Sequence, residues 1–272
     1  MPEIAEVRTV VKALKKNIIG RTIKDINIRY KGIIKTDINE FKSILINKKI
    51  TDVDNLGKWI FIKLDDYTIL SHLRMEGKYY IKDTNSEYEK HEHIIFNLDN
   101  NKDLRYKDVR KFGVMMLVKT CDIFKTPEIS KLGIEPDSKD LTKEYIYNKI
   151  HNSNKPIKEL LLDQSIINGF GNIYVDEVLF ASSILPNRLG NTITMDECNK
   201  IKEEGSIIIK KATECGGTTI RSYTSELGVI GSYQNYLKVH TKEKNPCPIC
   251  GENIVKSRVG GRGTYFCKKC QK

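Results

Sequence analysis

The stretch Cys247-Pro248-Ile249-Cys250, followed after sixteen residues by Cys267-Lys268-Lys269-Cys270, decides how the C-terminal end of this 272-residue chain folds. Two Cys-x2-Cys pairs at this distance are typical of one tetrahedral zinc site, in which two turns hold a single ion through four thiolates. So short a segment has little apolar core of its own, so binding of the metal would drive its folding. We therefore predict one structural Zn²⁺ held by these cysteines.

The segment between the two pairs, Val259-Gly260-Gly261-Arg262-Gly263-Thr264-Tyr265-Phe266, predicts a turn that leads into a strand and exposes one arginine. The planar guanidinium suits a phosphate or a base edge. Two interpretations stay open at this point: a zinc hairpin that only stabilises the C-terminus, and a hairpin that presents Arg262 to nucleic acid.

The charge balance favours a polyanionic partner. Lys and Arg number 46 against 35 Asp and Glu, which gives a net charge of +11 and a pI near 9.1; such a balance fits nucleic acid or an anionic membrane. No stretch approaches the ~20 apolar residues that span a bilayer, and Met1-Pro2-Glu3 does not begin a secretory leader. We expect a soluble cytoplasmic protein, in keeping with the scattered Cys121, Cys198 and Cys215.

The hydrophobic pattern changes twice along the chain. Residues 3–19 have the spacing of an amphipathic helix, and from Thr22 to Val118 short β-branched runs between turn residues predict an antiparallel sandwich or barrel. The predicted strands cover 23–28, 50–53, 59–64, 68–73, 78–81, 93–98, 103–106 and 113–118. Beyond Pro127 the pattern is helical through Thr213.

Two of the later helices form a candidate phosphate site. Residues 157–163 and 172–182 are joined by a connection that contains Gly169 and Gly171, where a backbone can approach a ligand closely. Free amides and the positive dipole end at Asn172 favour an anion. The alternative is an ordinary helical hairpin.

Pro2 is a candidate nucleophile, because a small second residue permits removal of Met1. The exposed α-amine would have a pKa near ~8, far below that of lysine, so that part of it is neutral and can attack carbon to form an iminium. Glu3 beside it could serve as the acid. The alternative is a proline and a glutamate that only begin a helix.

Three further turns carry cations or exposed apolar residues. Lys58 follows a glycine at the entry to a strand, and residues 73–77 and 107–113 place Met75 and Phe112 beside glycines. Apolar residues on turns can wedge between base steps, although a single Met or Phe is more often part of the core. A lone lysine such as Lys58 is more often a solvated residue of a turn.

His91 and His93 alternate as on one face of a strand. Without a further ligand nearby, we favour a histidine near a phosphate over a metal pair.

Taken together, these motifs resemble the bacterial formamidopyrimidine-DNA glycosylase family over nearly the whole chain. The motifs are Met1-Pro2-Glu3 with Glu6-Val7, Leu56-Gly57-Lys58, His72-Leu73-Arg74-Met75-Glu76-Gly77, Arg110-Lys111-Phe112-Gly113, Lys155-Pro156 with Leu160-Leu161-Leu162-Asp163-Gln164, Gly169-Phe170-Gly171-Asn172-Ile173-Tyr174 with Glu177, Gly216-Gly217-Thr218-Thr219, and the zinc segment. The resemblance implies an α+β multidomain fold: an N-terminal helix with an antiparallel β-sandwich over 1–131, a helix-two-turn-helix domain over 132–236 and a zinc-finger β-hairpin over 237–272.

For catalysis, the resemblance implies that the Pro2 amine attacks C1′ of an oxidised purine nucleotide, displaces the base and forms a Schiff base, after which β- and δ-elimination cleave the strand. Glu3 would help to open the sugar ring, and Lys58 would donate a proton and contact a phosphate. Arg262 is grouped with these catalytic residues because it would hold the phosphate beside the lesion.

For binding, the resemblance implies that Met75, Arg110 and Phe112 fill the gap left by the everted nucleotide, with Arg110 facing the orphaned cytosine. Asn172 and Arg262 would clamp phosphates. The remaining expected contacts are His91 and Lys155 to DNA, and Thr218, Thr219, Arg221 and Tyr223 in a lid over the base. We expect a monomer that binds damaged double-stranded DNA and no membrane.

The chain departs from the family pattern at Ala5, where members commonly have proline, and at Val109 and Lys111, where the usual run is Asp-Pro-Arg-Arg-Phe. None of these changes removes a predicted catalytic group. Two alternatives remain: an endonuclease VIII-type enzyme for oxidised pyrimidines, and a zinc-containing DNA-binding protein without catalysis. The order of preference among oxidised purines is not predicted.

Overall fold

The computed structural model describes residues 1–218 and 231–272, which fall into two compact units. The N-terminal unit consists of Met1–Ser130 with Gly216–Gly231, and the C-terminal unit of Lys131–Cys215 with Ser232–Lys272. No helix in the described ranges combines the length and apolarity that a membrane crossing requires.

The N-terminal unit contains α1 (Ile4–Ile18), α2 (Ile38–Leu45), α3 (Pro127–Ser130) and two four-stranded antiparallel sheets. One sheet has the order β1-β6-β7-β5 and the other β2-β3-β4-β8. The strand bounds are β1 Ile23–Ile28, β2 Asp52–Leu56, β3 Trp59–Leu64, β4 Tyr67–His72, β5 Lys78–Asp83, β6 Glu92–Leu98, β7 Lys102–Lys107 and β8 Val114–Lys119. One continuous core joins the inner faces of both sheets to the apolar side of α1, as the predicted sandwich requires.

Three details of the sequence prediction for this unit were wrong. The helix α2 lies inside the region that we predicted to be all strand; Asp37 caps it by accepting from Glu40 N at 2.9 Å, and Phe41 and Leu45, one turn apart, enter the core. The strand predicted at 50–53 is β2 and begins at Asp52. His91 does not share a strand face with His93, because it has a positive φ of 71° and precedes β6.

The C-terminal unit is helical and ends in a hairpin. Its helices are α4 Lys143–Ile150, α5 Ile157–Leu162, α6 Asn172–Ala181 and α7 Met195–Glu214, and its strands are β9 Val255–Val259 and β10 Arg262–Phe266. The strands pair antiparallel with Arg262 opposite Val259 at the turn. Phe180 from α6 and Val239 pack against Ile254 and the buried cysteines, so the hairpin shares a small core with the helices.

Candidate active site and metal centre

The start of the chain is held in a fixed position in the N-terminal unit. Pro2 and Glu3 are buried immediately before α1, while Met1 is 49% exposed. The backbone N–H of Glu3 donates to Glu6 Oε2 at 2.9 Å. The other oxygen of that carboxylate accepts from the amide of Thr218 at 2.7 Å and from its hydroxyl at 3.1 Å. Glu6 therefore links the residue after Pro2 to the Gly216-Gly217-Thr218 segment.

Lys58 is a buried cation, 5% exposed, on the turn between β2 and β3. Gly57 before it has a positive φ of 54°, which a glycine adopts without strain. The strand β3, which begins directly after Lys58, pairs with β4, so that Trp59 lies opposite His72 and their rings meet edge to face at 4.9 Å.

His72 is held neutral beside these cations. Burial lowers its pKa to about 3, with further contributions from the positive charges of Arg74 and Lys58. Its Nδ1 accepts from the backbone N–H of Arg74 at 3.0 Å, so the remaining proton lies on Nε2. The imidazole of His72 is therefore uncharged in the folded protein at neutral pH.

Two exposed turns carry the predicted void-filling residues. Met75 is 40% exposed and Phe112 52% exposed, so neither belongs to the core. The guanidinium of Arg110 stacks over the ring of Phe112 at 4.7 Å from its centroid. The buried carboxylate of Asp108 fixes this second turn by accepting from Arg110 N at 3.0 Å and from Gly113 N at 2.8 Å.

Tyr106 brings the two turns together. Its hydroxyl lies so close to Gly77 and Gly113 that a Cβ on either glycine would meet it at 2.1 Å and 1.7 Å, respectively. Each glycine ends one of the turns, since Gly77 lies two residues after Met75 and Gly113 directly follows Phe112. The packing of one buried tyrosine therefore sets the spacing between the two exposed wedges.

His91 lies beside the same turn. Its carbonyl accepts from Asp108 N at 3.0 Å, while Nε2 of His93 is 2.9 Å from Asp108 O. The described residues contain no group of three or more histidine, cysteine or acidic ligands that includes His91. The backbone of His91 is thus bonded to Asp108, the residue that also fixes the Arg110 turn.

In the C-terminal unit, Gln164 builds the turn between α5 and α6. Its side-chain amide donates to Leu162 O and Phe170 O at 2.9 and 3.0 Å and accepts from Gly169 N at 3.0 Å. Gly169 has a φ of 103°. The turn thus presents Asn172 at the N-terminal end of α6, where the positive end of the helix dipole favours an anion.

Asn172 and Arg262 are brought together across the C-terminal unit. The Asn172 side chain donates to Gly263 O at 2.9 Å, and Gly263 directly follows the exposed Arg262 at the start of β10. Lys155 is also exposed, just before α5. The unit therefore combines a helix N-terminus with the exposed Arg262 of the hairpin.

Sequence analysis missed Lys158, which is fully buried in α5. Its Nζ donates to Asp176 Oδ1 at 2.6 Å, Thr264 Oγ1 at 2.8 Å and Gly263 O at 3.0 Å. The other oxygen of Asp176 is 2.7 Å from His240 Nδ1. The sequence offered one signal, a lysine on the apolar side of a short helix, which a surface lysine matches equally well.

The four predicted zinc ligands converge. Their Sγ atoms all lie within 4.8 Å of one another, with 3.8 Å between Cys247 and Cys270 and 3.5 Å between Cys250 and Cys267. Tetrahedral Zn²⁺ with bonds of about 2.3 Å requires sulfurs about 3.8 Å apart, whereas a disulfide requires about 2.05 Å. The cysteines therefore form a Zn²⁺ site, as predicted.

Of the four predicted lid residues, the structure describes Thr218 alone. Thr218 is buried against Glu6, and Gly217 before it has a φ of 77°. Thr219, Arg221 and Tyr223 lie outside the described residues.

The architecture is that of a zinc-finger, helix-two-turn-helix protein with an N-terminal β-sandwich, and family models cover each part. Residues 1–115 match the formamidopyrimidine-DNA glycosylase N-terminal domain, 132–224 the formamidopyrimidine-DNA glycosylase H2TH domain, and 244–272 a zinc finger found in FPG and IleRS. The chain belongs to the formamidopyrimidine-DNA glycosylase family.

Full-length relatives support the same assignment. The chain is 43% identical to the formamidopyrimidine-DNA glycosylase of Lactobacillus helveticus, covering 100% of this chain and 99% of the relative. It is 41% identical to that of Lactobacillus delbrueckii subsp. bulgaricus, with 100% of both covered.

Solved structures agree as well. A variant of Lactococcus lactis FPG in complex with Fapy-dG containing DNA superposes with a TM-score of 0.95 at 37% identity, covering 100% of both chains. The complex between Lactococcus lactis Fpg and an abasic site containing DNA gives 0.94 at 37% identity over 99% of both.

Proposed function

We propose that this protein excises oxidised purines from duplex DNA and cleaves the strand at the resulting abasic site through a Schiff base on Pro2. The relatives are formamidopyrimidine-DNA glycosylases, and the similar Lactococcus lactis proteins were solved with Fapy-dG and abasic-site DNA. The observation that carries the proposal is the anchored chain start: the Glu3 N–H is bonded to Glu6 immediately after Pro2. An amine so held is pre-oriented for attack.

The reaction begins when removal of Met1 leaves Pro2 as a secondary amine. Its lone pair attacks C1′, the C1′–N bond to the base breaks, and the electron pair leaves with the base as that base takes up a proton. Glu3 protonates the ring oxygen so that the sugar opens and a C1′ iminium forms on Pro2. Loss of a C2′ proton then expels the 3′ phosphate by β-elimination, and δ-elimination expels the 5′ phosphate.

Lys58 is the proposed proton donor for the elimination steps and a phosphate contact. Its burial, with neutral His72 nearby, gives a desolvated cation that interacts strongly with an anion. Glu3, the N-cap of α1, and Lys58, on the turn before β3, are assigned separate tasks, because a carboxyl group serves as the acid for ring opening and an ammonium group also binds a phosphate.

The void left by the everted nucleotide is filled by Met75, Phe112 and Arg110, with Arg110 facing the orphaned cytosine. Their exposure and the stacking of Arg110 on Phe112 support this role. A rigid wedge offsets the few kcal/mol that base eversion costs.

Asn172 and Arg262 clamp the phosphates, with Lys155 and His91 as further contacts, and Thr218, Thr219, Arg221 and Tyr223 belong to a lid over the base. We also propose that the protein acts as a monomer in the cytoplasm. We keep the domain limits 1–131, 132–236 and 237–272; the family-model matches at 1–115 and 244–272 lie inside the first and last of these.

Borohydride trapping tests the proposal. Protein whose N-terminal proline is verified by mass is incubated with a duplex that contains 8-oxoguanine opposite cytosine, and reduction should give a covalent protein–DNA adduct. The matched control is the same chain with Met1 retained, which buries the amine in a peptide bond and should give no adduct. Full adduct formation with Met1 in place would refute Pro2 as the nucleophile.

The same assay separates the alternatives. An endonuclease VIII-type enzyme would be trapped faster on a duplex with an oxidised pyrimidine than on one with 8-oxoguanine. A DNA-binding protein without catalysis would bind the lesion and form no adduct on either.

A further inference from the structure

We infer that the buried Lys158–Asp176–His240 group is a positioning device that fixes Arg262 and Asn172 at the spacing needed to hold one DNA backbone. The inference rests on the proposed phosphate-clamp role of Arg262 and Asn172. None of the three buried residues contacts DNA in this proposal; they act through the hairpin that carries Arg262.

The main contact is a shared acceptor. Gly263 O accepts from Lys158 Nζ at 3.0 Å and from Asn172 Nδ2 at 2.9 Å. Gly263 is the residue after Arg262, so one carbonyl ties the base of the exposed arginine both to the interior of α5 and to the first residue of α6. A shift of this carbonyl would change the separation of Arg262 and Asn172.

Lys158 also holds the next residue of β10. Its Nζ donates to Thr264 Oγ1 at 2.8 Å, and that hydroxyl in turn donates to Arg262 O at 2.9 Å. Lys158 thereby holds the side chain of Thr264 and, through it, the carbonyl of Arg262. Directional bonds of this kind fix a position that apolar packing alone leaves adjustable.

Asp176 connects Lys158 to the other side of the hairpin. One carboxylate oxygen accepts from Lys158 at 2.6 Å, and the other lies 2.7 Å from His240 Nδ1 and 3.3 Å from Tyr265 N. His240 is itself fixed, because Glu177 accepts from the backbone amides of Lys238, Val239 and His240 at 2.8 to 3.0 Å. The group therefore spans α5, α6, the segment before the zinc site and β10.

The turn of the hairpin is seated on the same helix. A Cβ at Gly260 would meet Glu159 Cγ at 2.3 Å, so the glycine permits close approach between the turn and α5. Glu159 is the neighbour of Lys158. Two successive residues of α5 thus contact both ends of the Gly260–Gly263 turn.

Stability alone is a poor reason for this arrangement. Lys158 and Asp176 are both fully buried, and the desolvation of two charges offsets most of their attraction, so apolar residues of similar size often stabilise a fold as well. What a buried ion pair supplies is a defined geometry. In this unit, that geometry fixes the base of Arg262.

The test is a double-mutant cycle read through the salt dependence of binding. Affinity for a duplex with a reduced abasic site, which the protein cannot cleave, is measured by fluorescence anisotropy between 50 and 200 mM salt. Each phosphate contact contributes about −0.9 to the slope of log K against log salt. A variant that has lost one contact should therefore lose about 3.5-fold less affinity than the wild type when salt rises from 50 to 200 mM. Arg262→Ala should show this change.

Lys158→Met should reduce the salt slope by the same amount as Arg262→Ala, although Arg262 is still present. The double variant Lys158→Met/Arg262→Ala should show no further reduction of the slope. Lys200→Met, which removes one exposed charge from α7, is the control and should keep the wild-type slope. An unchanged slope in Lys158→Met, or additive slope losses in the double variant, would overturn the inference. So would an unchanged slope in Arg262→Ala, which would leave the glycosylase function, tested by trapping at Pro2, intact.

Zinc content and thermal unfolding show whether each variant is folded. If Lys158→Met binds less than one zinc per chain, Asp176→Asn takes its place in the cycle, because it keeps the shape and removes the charge. It should again be non-additive with Arg262→Ala, and additivity would overturn the inference.

Discussion

The carboxylate of Glu6 accepts a 2.7 Å hydrogen bond from the backbone amide of Thr218, a residue 212 positions later in the chain. It also accepts from the Thr218 hydroxyl and from the backbone N–H of Glu3. One buried side chain thus satisfies three donors and couples the start of α1 to the segment that begins the proposed lid.

Glu6→Gln should destabilise the protein by about 1 to 3 kcal/mol, because one of the three donors would face an amide N–H instead of an oxygen. Urea unfolding measures the loss. Glu40→Gln is the control, since Glu40 is exposed in α2 and its removal should cost little. Equal stability of the two variants would show that the Glu6 bonds are dispensable.

Stability should fall below pH 6.5 through His72. Its pKa is about 3 in the folded protein and 6.5 in the unfolded chain, so the unfolded state binds the extra proton between these values. The contribution of neutral His72 to the free energy of unfolding is fully present above pH 6.5 and is lost as the pH falls toward 3. At pH 5 the free energy of unfolding is lower by about 2 kcal/mol for this reason.

His72→Asn isolates this effect, because the asparagine oxygen can accept from Arg74 N and does not titrate. Unfolding free energies at pH 7.5 and pH 5 should differ by about 2 kcal/mol more in the wild type than in the variant. The prediction fails if both proteins lose the same stability on acidification.

Zinc removal should unfold the hairpin and spare the N-terminal unit. Cys270→Ser removes one thiolate, and β9 and β10 should then exchange their amide hydrogens as an unfolded peptide does, since their small core depends on the metal. Strands β2 to β8 should keep their protection. Cys121→Ser, at an exposed free cysteine, is the control and should retain one zinc; protection of β9 and β10 without bound metal would contradict the prediction.

Gly113→Ala should displace the turn that carries Arg110 and Phe112, because the new Cβ would lie 1.7 Å from the Tyr106 hydroxyl. Overpacking of this kind costs about 1 to 3 kcal/mol. Base excision opposite cytosine should fall more than excision from a duplex with no base opposite the lesion, since only the first requires the wedge at the orphaned cytosine.

Tyr106→Phe in the Gly113→Ala background should restore part of the lost excision by removing the hydroxyl. The recovery should be incomplete, because the ring carbon that carries the hydroxyl would still lie 2.7 Å from the added Cβ. A double variant no better than Gly113→Ala would mean that the hydroxyl does not set the position of this turn.

Much of the fold could be predicted because local patterns agree with tertiary packing. The helical spacing after Glu3 and the β-branched runs from Ile23 onward produced elements within a few residues of those observed. The helix α2 was missed because it has only eight residues and lies between runs of strands, although Ile38, Phe41, Ile44 and Leu45 all pack against the core.

The site was predictable where chemistry requires a residue type at a fixed spacing. The four cysteines predict a zinc site from the sequence alone, since two short Cys-x2-Cys turns can supply all four ligands of a tetrahedral Zn²⁺. Lys158 was not predictable, because a lysine acquires a buried role only when distant partners such as Asp176 and Thr264 surround it.

The sequence by itself determined the family, the zinc ligands and the candidate nucleophile at Pro2, because each depends on residue identity and local spacing. Only the tertiary structure decided that Glu6 meets Thr218, that Tyr106 spaces the two exposed turns, and that Lys158 and Asn172 share the carbonyl of Gly263. The physical reason is the sequence distance between the interacting residues. The conformation of a turn or of a Cys-x2-Cys loop depends on neighbours in the chain, whereas the role of a buried charge or hydroxyl depends on distant residues that packing brings into contact with it.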